Sequence, residues 1–132
     1  EIHRTYQAFA LGETAASGTI DAPIARLNGS LIQRTVDFAS GERSVTHYRT
    51  LAHYSVFSHL ELNLETGRTH QIRVHMAYIG HPLLGDTLYN KTPGTFPRQA
   101  LHSASLSFVH PITGEPLNFH APLPEDMQNL LT

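Results

Sequence analysis

Apolar and polar residues alternate along most of the first half of the chain, the period-two signature of half-buried strands. Thr5 to Ala10 alternates around Tyr6, Ala8 and Ala10 until Leu11-Gly12-Glu13 breaks the run. A second strand, Gly18 to Ile24, is expected to end at the Ala22-Pro23 turn. Leu31 to Phe38 and Ser44 to Leu51 flank Ala39-Ser40-Gly41-Glu42 and together read as a hairpin. Tyr54 to Leu64 continues the alternation, with Leu60, Leu62 and Leu64 on one face.

The period changes after Leu64. Ile72, Met76 and Ile79 recur at helical spacing, with Thr66 or Thr69 as the expected N-cap and Gly80 as the expected stop. Pro82 to Tyr89 is rich in turn residues, and Asn90 to Gln99 reads as an irregular surface loop. Leu101 to Val109 alternates again, turns through His110 to Glu115, and can pair back along Leu117 to His120. Pro124 to Leu131 predicts a closing helix with Pro124 near its first position. The sum is one α+β unit: a mixed, mainly antiparallel sheet with few helices.

Composition narrows the function classes. At 132 residues and 40% hydrophobic content the chain can bury one modest core. It has no cysteine, which rules out disulfides and cysteine zinc sites and suits a reducing cytoplasm, the expected location. No apolar stretch approaches the roughly 18 residues of a membrane span, and no signal peptide is expected. The chain opens at Glu1 with no methionine, so a piece of a longer protein is expected. The formal charge of −2 argues against indiscriminate nucleic-acid binding. Yet eight of the nine cations are arginines, suited to two-point recognition of phosphate and carboxylate.

The candidate chemistry lies in Leu64-Glu65-Thr66-Gly67-Arg68-Thr69-His70-Gln71-Ile72-Arg73-Val74-His75, which sets two arginines and two histidines across a strand-to-helix junction. Backbone N–H groups at a helix start, with Arg68, make a candidate anion site. Arg73, between Ile72 and Val74, is expected to be partly buried and so to need an anionic partner; a structural ion pair and a site role both fit. His70, His75 and His81 invite a metal hypothesis, and with it a metal-dependent hydrolase. His70 and His75, however, diverge by about 140° around a helix, so structural or capping roles fit better. Asp86 reads as a turn aspartate or a catalytic acid, and Tyr6 as a packing residue or an active-site phenol.

Taken with Gly80-His81-Pro82-Leu83-Leu84-Gly85-Asp86 and Tyr89, that segment resembles the signature of the RluA-type RNA pseudouridine synthases. Arg4-Thr5-Tyr6-Gln7-Ala8, Gly18-Thr19-Ile20-Asp21-Ala22-Pro23-Ile24, Thr46-His47-Tyr48 and Ala100-Leu101-His102-Ser103 resemble other elements of that family in order. The resemblance implies isomerisation of a uridine in folded RNA to its C5-glycoside, with no cofactor or metal and with the base flipped from its stack. Ribosomal RNA of the large subunit is the expected substrate, ahead of transfer RNA.

It also implies roles. An aspartate attacks the nucleoside, the base is released and turned, and C5 rejoins the sugar. Tyr6 matches the tyrosine that stacks on the base and is implicated in removing the C5 proton. Arg73 matches the arginine that pairs with the aspartate, and Leu101 an apolar residue of the uracil pocket. Arg68, His70 and His75 match further motif positions; Arg68 is expected to contact substrate through phosphate, and His70 to contact substrate or brace the strand-to-helix junction. The family's aspartate segment, His-Arg-Leu-Asp-x-x-Thr-Ser-Gly, precedes the Tyr6 strand, and none of Asp21, Asp37, Asp86 or Asp126 lies in such a context. Residues 1–132 are therefore expected to be the C-terminal portion of the catalytic domain, inactive alone. A catalytically inactive RNA-binding module of the same fold is the alternative.

Overall fold

The computed structural model describes residues 2–131. Its strands are β1 (Ile2–Leu11), β2 (Ser17–Asp21), β3 (Ile24–Arg26), β4 (Arg34–Val36), β5 (Val45–His53), β6 (Phe57–Leu64), β7 (Leu101–Val109) and β8 (Pro116–His120). Helix α1 (Gln71–Tyr78) follows β6, and α2 (Glu125–Gln128) runs into a 3₁₀ turn (Asn129–Leu131). Six strands form one sheet in the order β2-β5-β6-β1-β7-β8, while β3 and β4 make a separate two-stranded arm. Every pairing among the described residues is antiparallel.

The alternation of the first half becomes two buried faces. Tyr6 stands in a cross-strand row that runs Gly18, Tyr48, Leu62, Tyr6, Ser103. A Cβ on Gly18 would lie 2.6 Å from the Tyr48 ring, so only glycine lets that ring lie across β2. Ala8, Ala10, Leu60 and Leu62 pack against Ile72 and Met76 of α1. On the other face Phe9 and Phe57 meet Ala100 and Met127, closed over by Leu84, Phe96, Leu123 and Leu131. A central strand sandwiched in this way buries apolar groups on both sides, and Ala8, Phe9 and Ala10 are all fully enclosed.

The β1–β7 pairing is interrupted beside the site. Thr5 faces Ser105 and Tyr6 faces Ser103, so Ala104 is an extra residue bulged out of the ladder. Its carbonyl accepts the Ala121 N–H at 2.8 Å, holding the chain that leaves β8.

Three local expectations are corrected. The 31–51 hairpin does not form: β4 pairs with β3, whereas β5 pairs with β2 and β6. Between β4 and β5, Asp37 accepts the N–H groups of Ala39 and Ser40 and turns the chain back, so that Glu42 bridges Ile24. Neither Thr66 nor Thr69 is the N-cap of α1; that residue is His70. Thr66 is engaged elsewhere, accepting the Val45 N–H and donating to Gln71. Pro124 is the N-cap of α2, one residue earlier than expected. The Gly80 stop does form. Gly80 has φ 89°, its N–H reaches the Ala77 carbonyl, and the His81 N–H reaches Met76, a Schellman ending.

Candidate active site

Two residues of α1 explain why the helix sits where it does. Gln71 donates from Nε2 to the Val45 carbonyl and to Thr46 Oγ1, and accepts at Oε1 from Thr66 and from the Arg68 N–H. His75, one turn later, is fully buried. Its Nε2–H donates to the Ala22 carbonyl at 2.8 Å, so Nδ1 is left to accept from Thr46 Oγ1 at 2.8 Å. Burial holds His75 below its ordinary pKa, against the opposing pull of the Ala22 carbonyl and the Asp21 charge. These bonds tie α1 to β5 and to the turn after β2.

Arg73 lies between those anchors and faces the loop that follows α1. That loop runs beside the end of β1, where Ala10 bridges Leu83 and the Leu84 N–H reaches the Phe9 carbonyl. Gly85 then turns with φ 73° so close to Arg98 that a Cβ would lie 1.7 Å from its carbonyl oxygen. This delivers Asp86, fully buried, to Arg73. Arg73 donates from Nε to Oδ2 and from Nη2 to Oδ1, both at 2.9 Å. Asp86 Oδ1 also accepts the N–H groups of Leu88 and Tyr89, at 3.0 and 3.2 Å. Burial works to raise the Asp86 carboxyl; the bonds and charge of Arg73, with those two N–H groups, outweigh it and hold the group below the ordinary carboxylate value. The carboxylate that Arg73 needs is thus supplied within the chain. Nη1 of Arg73 makes no hydrogen bond among the described residues.

Tyr6, Arg68, His70, Arg73 and Leu101 all line one cavity of about 330 Å³, with Leu64, Gln71, Ile72 and Gln99 completing its wall. That volume suits a small molecule or a single flipped nucleotide rather than a duplex. Tyr6 and Leu101 reach it from adjacent strands, and both pack on the α1 core. Arg73 arrives from the helix. Arg68 is more committed than its position at a helix start suggested: Nε donates to the Arg43 carbonyl at 3.0 Å, and Nη1 pairs with Glu42 at 3.1 Å. His70 is turned away from the helix N–H groups and meets the Tyr89 hydroxyl at 2.7 Å. Tyr89 also lies under the Arg73 guanidinium, 5.1 Å from its ring centroid.

The histidines proposed as a metal set do not converge. His70 bonds Tyr89, His75 bonds Thr46 and Ala22, and His81 bonds the Leu11 carbonyl. Two residues beside the cavity carry no role in the sequence reading: Tyr89, quoted there only as a motif position, and Gln99, a wall of the cavity. Tyr89 had a signal, since an aspartate three residues earlier places it on an Asx-type turn. Gln99, in an irregular loop, had none.

Residues 1–78 match the RNA pseudouridylate synthase family. The chain is 52% identical over 131 residues to YjbO of Bacillus subtilis, an uncharacterised RNA pseudouridine synthase, covering 98% of this chain and 46% of that protein. It is 48% identical to the ribosomal large subunit pseudouridine synthase D of Vibrio cholerae, covering 96% of this chain and 43% of that one. The corresponding Escherichia coli K12 protein is 45% identical, with 99% and 44% covered. The chain therefore spans less than half the length of these relatives. Among solved structures, human RNA Pseudouridylate Synthase Domain Containing 1 superposes with a TM-score of 0.79 at 27% identity, covering 92% of this chain and 54% of that one.

Proposed function

The chain belongs to the RNA pseudouridylate synthase family, and from that premise we propose that it is the C-terminal portion of a catalytic domain that isomerises a uridine in large-subunit ribosomal RNA. The observation that carries the reading is the convergence of Tyr6, Arg73 and Leu101, from a strand, a helix and a neighbouring strand, on one cavity of nucleotide size. Large-subunit RNA is favoured because the Vibrio and Escherichia relatives carry that substrate in their names.

Tyr6 offers an aromatic face for the flipped base and a hydroxyl near its C5 edge. Leu101 supplies apolar contact to the ring. Arg73, braced by Asp86 through Nε and Nη2, keeps Nη1 for a second carboxylate: the nucleophilic aspartate of a segment outside these 132 residues. In that reaction the aspartate takes the sugar as the glycosidic bond to N1 breaks. The base turns, and its C5 bonds to the sugar carbon as that carbon's bond to the aspartate oxygen breaks and frees the carboxylate. The C5 proton passes to a base beside the Tyr6 edge, and N1 takes up a proton.

Three of the four aspartates present are committed elsewhere, which supports the view that the nucleophile is not among them. Asp37 holds its own turn, Asp86 holds Arg73, and Asp126 pairs with Arg98. The deciding experiment is tritium release from C5-labelled uridine in ribosomal RNA. The full-length protein should release tritium, and the 132-residue chain should not. Turnover by the isolated chain would overturn the assignment of the nucleophile elsewhere. RNA binding without turnover by the full-length protein would establish the inactive binding module instead.

A further inference from the structure

His70 is the only non-glycine among the described residues with a left-handed backbone, φ 57°. That conformation is disfavoured for a residue with a Cβ, and it persists where surrounding structure or a functional demand holds it. The ring does not cap the helix it precedes. It meets Tyr89 edge to face, with ring centroids 5.5 Å apart at 78°, and Nδ1 is 2.7 Å from the phenol oxygen.

That phenol oxygen already accepts the backbone N–H of Arg34 at 2.9 Å. Its single proton is then free for His70 Nδ1. The reverse arrangement would strand the phenol proton without an acceptor among the described residues. Nδ1 is therefore the acceptor, and a neutral His70 carries its proton on Nε2. Burial first, then the charges of Arg73 and Arg34, hold His70 below its ordinary pKa against the opposing charge of Asp86, so the ring is neutral at pH 7. Burial raises Tyr89, which keeps its proton to donate. Nε2 makes no hydrogen bond among the described residues, and His70 is a wall of the cavity that Tyr6 and Arg73 share.

We propose that His70 is a base-recognition residue, its tautomer fixed by Tyr89, offering Nε2–H as an uncharged donor to a carbonyl oxygen of the uracil ring. This inference rests on the function proposed above. A carbonyl is favoured over a phosphate oxygen because phosphates are met most strongly by charged donors, and guanidinium groups are at hand for them. A fixed neutral donor also turns away a base that presents an amino group in the same place. Tyr89 is a positioning residue, acting through His70.

The test uses the full-length protein labelled with ¹⁵N-histidine. At pH 7 the His70 resonances should show a protonated Nε2 and an unprotonated Nδ1, and Tyr89→Phe should mix the two tautomers. In turnover assays His70→Phe should raise KM about tenfold or more, the loss of one good hydrogen bond, with a smaller change in kcat. His70→Gln, which keeps an N–H donor, should recover most of that loss. The salt dependence of RNA binding should be the same in all three proteins. An Nδ1–H tautomer or a doubly protonated ring at pH 7, an unchanged KM for His70→Phe, or a salt slope reduced by about one charge would each overturn the proposal. If the wild-type protein showed no turnover, the enzyme assignment would fail, while the nitrogen spectrum would still decide the tautomer.

Discussion

Arg73 grips Asp86 through two parallel hydrogen bonds of 2.9 Å, although Asp86 is fully enclosed and the arginine side chain only 13% exposed. A buried pair of this kind is a poor source of net stability, but breaking it is expensive because the surviving charge is left without a partner. Asp86→Asn should therefore destabilise the full-length protein by about 3 kcal/mol, measured by urea unfolding. Arg73→Lys keeps the charge and loses the fork. If Arg73 orients the nucleophile as proposed, this variant should reduce turnover by about 100-fold, the cost of a misplaced reacting group, while RNA binding largely survives. Equal losses in binding and turnover would return Arg73 to a binding role.

Two of the groups whose pKa shifts on folding act on stability in different pH windows. Asp86 sits below its ordinary value, so its contribution is complete above the unfolded pKa near 3.9 and is lost only as pH falls through the lower folded value. His75 is also lowered, chiefly by burial. Below about pH 6.5 the unfolded chain takes up a proton that the folded protein refuses, so stability falls as the pH drops. The slope from this group is at most about 1.4 kcal/mol per pH unit, and it flattens once the folded histidine is protonated. Unfolding midpoints from pH 8 to 5 should show loss of stability beginning near pH 6.5. In His75→Gln the curve should start lower and be flatter; an unchanged slope would show that other groups set it.

Tyr6 packs through its ring, and its hydroxyl makes no hydrogen bond among the described residues. Tyr6→Phe preserves the row from Gly18 to Ser103 and should change stability by no more than about 0.5 kcal/mol. Its effect should appear in kcat alone. Wild-type turnover in this variant would leave Tyr6 a stacking and packing residue only.

Gly85 is held by sterics on both counts, a positive φ and a carbonyl where its Cβ would be. Gly85→Ala must push the 85–90 turn away from Arg98, and Asp86 moves with it. Destabilisation above about 3 kcal/mol is expected, in the range of strained-backbone and core lesions, together with loss of turnover. Stability within 1 kcal/mol of wild type would mean that the turn has room to shift.

The sheet was largely legible because period-two patterning reports which residues share a face: Tyr6, Ala8 and Ala10 of β1 and Leu60, Leu62 and Leu64 of β6 do meet on the α1 core. Patterning does not report partners. Leu31 to Phe38 and Ser44 to Leu51 looked like a hairpin because turn residues separate them, but Pro23 ends β2 early and frees Ile24 to Arg26 to claim β4. The need of Arg73 for an anion was legible from its apolar neighbours. Its partner was not, since Asp86 comes into reach only after the 82–85 loop has settled along β1 and beneath Arg98. The cap of α1 was missed for a related reason: Thr66 satisfies Val45 and Gln71, groups whose proximity is tertiary. His70 in a left-handed conformation runs against local preference, and no propensity argument would have placed it there.

The extra residue at Ala104 resets which way the β7 side chains point. Leu101 and Ser103 are odd-numbered, whereas Leu106 and Phe108 are even, yet all four stand opposite even-numbered residues of β1. The strand is two short phrases in different registers, joined at the position that faces Tyr6 and its neighbour. A pocket residue and the apolar outer part of β7 can thus be read from the same side of the sheet without sharing a sequence frame. A one-residue insertion or deletion near Ala104 is accordingly a change of local twist beside Tyr6, and it tugs on Ala121 at the same time. Length variation at this point is a route by which the mouth of the cavity and the chain end beyond β8 can be adjusted together, with the central strands left untouched.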